Sequence, residues 1–123
     1  MDGVDPGRDG QARGVLLVLT NCPDEATATR IRRELVAERL AACVNQLGPV
    51  HSTYRWQGSV EEAWEIPLLI KTTRERYLAL EARLRQLHPY SVPEIIAIPV
   101  ERGGSEYLAW VDAETRAGLG QTG

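Results

Sequence analysis

Hydrophobic positions along the chain change period several times, and each change marks an element. Val15-Leu16-Leu17-Val18-Leu19 is a continuous aliphatic run of strand length, which predicts a buried strand. Pro23-Asp24-Glu25 supplies helix-start chemistry, with acids placed where main-chain N–H groups are free. Ala28, Ile31 and Leu35 then recur at spacings of three and four and predict an amphipathic helix to about Arg39. Ala41-Ala42-Cys43-Val44 opens a second extended segment, interrupted at Gly48-Pro49 and resumed from His51 to Trp56. There Ser52, Tyr54 and Trp56 point one way and His51, Thr53 and Arg55 the other. Gln57-Gly58-Ser59 reads as a turn, and a third strand runs from Val60 through Trp64 to Lys71-Thr72.

From Arg74 to Leu87, Tyr77, Leu80, Leu84 and Leu87 fall on one helical face, and Pro89 and Pro93 end that helix and frame a loop. Glu94 to Val100 reads as a fourth strand, with Pro99 assigning it to an edge or a bulge. After Gly103-Gly104, Ser105 is placed to cap a last short helix carrying Tyr107, Leu108, Trp110 and Val111. The order β-α-β-β-α-β with a C-terminal helix is that of an α+β ferredoxin-like sandwich over residues 14–116: one antiparallel sheet with two helices on one face. Residues 1–13 and 117–123 are rich in Gly and polar residues without apolar period, and are expected to be a disordered head and a flexible tail.

The second and third strands form a hairpin too long for its body. A dozen residues at about 3.3 Å each span ~40 Å, beyond twice the ~14 Å radius of gyration of a chain this size. Such a hairpin exposes main-chain groups together with Tyr54, Trp56 and Trp64, so a homo-oligomer is expected. A bulge at Gly48-Pro49 that folds the hairpin back is the alternative.

Composition narrows the classes. At 123 residues, 43% hydrophobic and 25% charged, the chain has the make-up of one soluble domain. It holds no apolar run approaching the roughly 20 residues that cross a bilayer, and its start has neither a basic nor an apolar signal region, so a cytoplasmic protein is expected. Seventeen acidic against 14 basic residues give −3, which argues against a nucleic-acid binder, and Arg30, Arg32 and Arg33 read as a solvated helix face. Lys71 is the one lysine in the chain. Two cysteines are too few for a disulfide scaffold.

Candidate metal donors are Cys22, Cys43, His51 and His88 with Glu61, Glu62 and Glu65, but no C-x-x-C or H-x-x-x-H spacing organises them. Cys43, in an Ala-Ala-Cys-Val context, is either a small buried hydrophobe or a thiolate suited to soft ions such as Cu(I). Cys22 falls in a loop ahead of a helix N-terminus, where its pKa is lowered or it is an exposed spectator thiol. The segment from His88 to Glu94 brings an imidazole, a phenol and a carboxylate together between two prolines, either as a site or as the shaped entry to the fourth strand. There is no nucleophile elbow, no phosphate loop and, with no Phe, no RNA-stacking surface, so no enzyme is expected.

Pro23-Asp24-Glu25, Leu40-Ala41-Ala42-Cys43-Val44-Asn45, Ser52-x-Tyr54-x-Trp56-x-Gly58, Glu65, Lys71-Thr72, His88-Pro89-Tyr90 with Val92-Pro93-Glu94, and Tyr107-Leu108-x-Trp110 together resemble the CutA divalent-cation tolerance proteins. The resemblance is collinear from about Val15 to Glu114. It implies a tight homotrimer of ferredoxin-like subunits, similar in architecture to PII signalling proteins, and a role in tolerance of copper or another divalent cation without catalysis. It also implies Cys43 as a metal ligand, with His88 as the second candidate, while Cys22 inherits nothing. A pocket between subunits is expected to draw on Tyr54, Trp56, Lys71, His88, Tyr90 and Glu94. The alternative reading is a PII-like ligand-sensing module in which a small anion meets Lys71 and His88.

Overall fold

The computed structural model describes residues 14–116; the expected disordered head 1–13 and flexible tail 117–123 lie outside the described residues. Five strands, β1 (Val15–Cys22), β2 (Cys43–Gln46), β3 (Val50–Trp56), β4 (Ser59–Thr73) and β5 (Ile96–Pro99), and three helices, α1 (Glu25–Ala37), α2 (Arg74–Leu87) and α3 (Ser105–Glu114), make up the fold. The strand order is β2-β4-β1-β5, all neighbours antiparallel, with β3 on the far half of β4. This is the ferredoxin-like α+β arrangement expected. β5 pairs only with β1 among the described strands, which makes it the edge that Pro99 called for.

Alternation along β1 and β4 sets the two faces of the sheet. Leu16, Val18 and Cys22 with Ile66, Leu68 and Ile70 meet Ala28, Ile31 and Leu35 of α1 and Leu80, Leu84 and Leu87 of α2 in one core. Above it Arg83 ties the helices together through Glu34 at 2.8 Å and Glu38 at 3.0 Å. The other face presents Leu17, Leu19, Leu69, Lys71, Ile96 and Ile98, and these are half-buried or exposed because, among the described helices, only α3 reaches it. Leu108 and Val111 of α3 pack there on Val15, Ala42 and Val100.

Element ends follow local chemistry. Asp24 caps α1, its Oδ1 accepting from the Thr27 N–H at 2.8 Å. The helix stops at Ala37, two residues short of expectation, because Arg39 turns left-handed at φ 59°. The N–H groups of Arg39 and Leu40 then reach Val36 O and Leu35 O, the pairing of a Schellman stop. α3 is preceded by Gly104 rather than capped by Ser105, which is its first residue. The fourth strand is shorter than expected, because Glu94 and Ile95 stay in the loop that follows α2.

The hairpin overhangs as expected, and the break in its first strand has a defined form. Gln46 pairs with Leu68 and the Leu47 N–H reaches Pro67 O, yet Val50 pairs with Glu65. Gly48 and Pro49 therefore oppose Ile66 alone, a bulge of one extra residue. It does not fold the hairpin back, since β2 and β3 share the single 15-residue β4. At the tip Gln57 (φ 49°) and Gly58 (φ 85°) form the two-residue turn between Trp56 and Ser59, with both dihedrals of the sign that suits strand twist. Trp64, 64% exposed, stacks on His51 at 4.6 Å along this arm.

Candidate functional site

A pocket of about 610 Å³ lies between the hairpin and the loop after α2. Its walls come from four places. β3 contributes Ser52, Thr53, Tyr54 and Trp56; β4 contributes Glu61 and Glu65; the loop contributes Tyr90, Ser91, Val92 and Glu94; and β1 contributes Asn21. Ser52, Tyr54 and Trp56 are the residues that alternation placed on one face of the strand.

The loop is held by hydrogen bonds rather than by its prolines alone. His88 closes α2, its main-chain N–H reaching Leu84 O at 2.9 Å, and its ring is buried. Nε2–H donates to Asn21 O at 2.7 Å, and Nδ1 accepts from the Tyr90 N–H at 3.2 Å. Tyr90 then donates its hydroxyl to Glu65 Oε2 at 3.1 Å, and the Asn21 amide donates to Glu94 Oε1 at 3.2 Å. Burial, and then the hydrogen bond to Glu65, push the Tyr90 phenol up to about 12, so it stays protonated and donates.

Of the expected site residues, Tyr54, Trp56, Tyr90 and Glu94 meet in this pocket. Lys71 and His88 do not line it. Lys71 lies on the open sheet face opposite Leu17 and Cys43, whereas His88 is bonded to Asn21, whose register partner is Pro67. Four residues of strand, about 13 Å, separate those positions, so one chain forms no Lys71–His88 anion cleft.

Cys43 and His88 are likewise apart within one chain. The Lys71 ammonium stands 3.9 Å from Cys43 Sγ and also reaches Asn45 Oδ1. The Tyr107 phenol is raised by burial and by the neighbouring Cys43 thiol. Both ring nitrogens of His88 are engaged, and among the described residues no three His, Cys, Asp or Glu side chains are grouped to hold a metal ion. Among the described residues of one chain, Cys43 therefore stands outside any cluster of three such donors. Cys22 corrects its expectation outright. It is the last residue of β1, fully buried, and burial followed by the charges of Asp24 and Glu65 raises its thiol to about 12. It is neither activated nor exposed, because the strand runs three residues further than the aliphatic run.

Seven of the eleven lining residues lay outside the expected ligand set, Glu65 and Asn21 among them. Glu65 appeared among the candidate metal carboxylates and among the residues that carry the family resemblance, but it was not assigned to the pocket. Asn21 carried no signal, since its role depends on a main-chain oxygen and an amide that face a loop 67 residues away.

The family model described as CutA1 divalent ion tolerance protein matches residues 16–114. The divalent-cation tolerance protein CutA of Thermus thermophilus is 48% identical over 80% of this chain and 96% of its own length. Protein CutA of Homo sapiens is 41% identical over 92% of this chain and 63% of its own length. Among solved structures, CutA from Xylella fastidiosa superposes with a TM-score of 0.82 at 50% identity, covering 84% of this chain and 99% of that one. The periplasmic divalent cation tolerance protein CutA from Archaeoglobus fulgidus superposes with a TM-score of 0.80 at 34% identity, covering 83% and 99%.

Proposed function

This chain belongs to the CutA1 divalent ion tolerance family, and on that premise we propose that it serves cation tolerance as a ligand-responsive homotrimer that turns nothing over. The ligand enters the pocket between the hairpin and the Tyr90 loop. The observation that carries this reading is the convergence of Tyr54, Trp56, Tyr90 and Glu94 with Glu65 on one pocket. Its volume lies within the range of small-molecule sites. The hairpin arm that forms one wall is the element best placed to pass occupancy to a neighbouring subunit.

The homotrimer has its own support. Leu17, Leu19, Leu69, Ile96 and Ile98 leave an apolar part of the sheet face beyond α3 half-buried or exposed among the described residues, and the hairpin exposes Val60 and Trp64. Further copies of the chain are the occupants proposed for both surfaces. A cytoplasmic location belongs to the same proposal; among the described residues no helix is long and apolar enough to cross a membrane.

The test is a thermal-shift and tryptophan-fluorescence screen of small metabolites on the intact protein, repeated on Trp56→Ala. Saturable responses that the substitution removes support the reading, and a screen without one saturable response overturns it.

A second reading rests on Cys43, a half-buried thiol on the open sheet face. Copies meeting on that face would bring several such thiols together, and thiolates suit Cu(I). Native mass spectrometry with copper under reducing conditions tests it together with the trimer. Copper retained by the wild-type trimer and lost in Cys43→Ser supports it; equal retention removes Cys43 as a ligand.

A further inference from the structure

We infer that the pocket takes an organic ammonium ion with an apolar body, an inference that rests on the small-ligand reading above. Charge sets the sign. Glu61, Glu65 and Glu94 line the pocket, and among its lining residues there is no Lys, Arg or His. From the residues of one chain an anion meets only like charge there, whereas a cation gains from every carboxylate.

Glu65 is the residue that turns an acidic wall into a site. It is only 8% exposed, and it makes no ion pair among the described residues. Its Oε2 accepts from Tyr90, while Oε1 has no hydrogen-bond partner there. Glu65 thus lines the pocket nearly buried and with no cation beside it among the described residues, and a carboxylate largely withdrawn from water is costly unless a ligand supplies one. The same negative charge contributes to the raised Cys22 thiol and Tyr90 phenol behind it, after burial in each case.

The remaining features choose an organic cation over a metal ion. The three carboxylates are too dispersed to share one ion, since no group of three such donors converges among the described residues. Tyr54, Trp56 and Tyr90 bring aromatic rings to the same pocket, and ring faces attract ammonium groups while their areas cover an apolar body. A volume of about 610 Å³ is far larger than a bare ion requires.

Three probes of one shape and different charge test this: phenethylammonium, 2-phenylethanol and 3-phenylpropionate, titrated into the full chain while the Trp56 indole is followed by NMR. Phenethylammonium is expected to bind at least tenfold more tightly than either of the others, and Glu65→Gln to weaken it at least tenfold while the oligomer is retained. Glu94→Gln, on the exposed rim, is expected to weaken it severalfold and serves if Glu65→Gln does not fold. Equal or tighter binding of the alcohol or the carboxylate overturns the ammonium assignment and leaves the pocket standing, as does an affinity unchanged in these variants. Failure of all three probes to bind overturns the pocket reading itself.

Discussion

The phenol of Tyr90 and the carboxylate of Glu65 meet at 3.1 Å, joining the loop after α2 to the middle of β4 across the back of the pocket. Tyr90→Phe keeps the ring and removes the donor, leaving Glu65 with no hydrogen-bond partner among the described residues. A buried carboxylate that loses a partner costs roughly 1–3 kcal/mol. The midpoint of urea unfolding at fixed protein concentration is expected to fall accordingly with an unchanged slope. A variant as stable as the wild type would mean that the bond is not formed in solution.

His88 is expected to act on stability and not as a ligand. Its two ring nitrogens fasten the loop to β1 and to Tyr90, so His88→Ala strands the Asn21 carbonyl and the Tyr90 N–H together and empties a buried volume. A loss of about 2–4 kcal/mol is expected, with copper uptake per folded chain unchanged. Copper uptake lost in a variant that keeps its unfolding midpoint would restore His88 as a metal ligand.

Much of this was legible in the chain and some of it was not, for physical reasons. The two helical faces were plain because Ile31 and Leu35, and Leu80, Leu84 and Leu87, repeat at helical spacing and all are buried. The overhanging hairpin followed from segment length alone. The aromatic half of the pocket followed from alternation in β3. What periodicity could not supply was register: Lys71 and His88 stand 17 positions apart in sequence, and only the pairing of β1 with β4 shows that they serve different ends of the sheet. Nor could it separate Cys22 from a loop cysteine, because Thr20, Asn21 and Cys22 extend β1 with no aliphatic signal of their own.

The hairpin tip should respond to two conservative changes in opposite senses. Gly58 has φ 85° and open space around its α-carbon, so Gly58→Ala carries a purely conformational penalty of about 1 kcal/mol. Gln57 holds φ 49°, a region asparagine tolerates far better, and Gln57→Asn is expected to stabilise by a few tenths of a kcal/mol. Thermal midpoints of the two variants, measured at one concentration, check both signs. A neutral Gly58→Ala would show that the tip does not keep this turn in solution.

Alkaline pH should unfold the protein through Cys22 and Tyr90. Both groups have folded pKa values above their ordinary ones, the thiol at about 12 against 9.0 and the phenol at about 12 against 10.0. A raised pKa means that the folded state holds its proton longer than the unfolded chain does. The stability linked to each group is therefore complete below its ordinary pKa and is lost as pH climbs toward about 12. The decline begins near pH 9 with Cys22 and steepens above pH 10 as Tyr90 joins it, each group adding at most about 1.4 kcal/mol per pH unit. Cys22→Ala removes the first contribution, at the expense of a small cavity worth about 1–2 kcal/mol at neutral pH. Unfolding free energies from urea titrations at pH 7, 9, 10 and 11 should then show the variant flatter than the wild type between pH 9 and 10. Parallel curves through that interval would mean that the Cys22 thiol is not held in its protonated form by burial against α1 and β4.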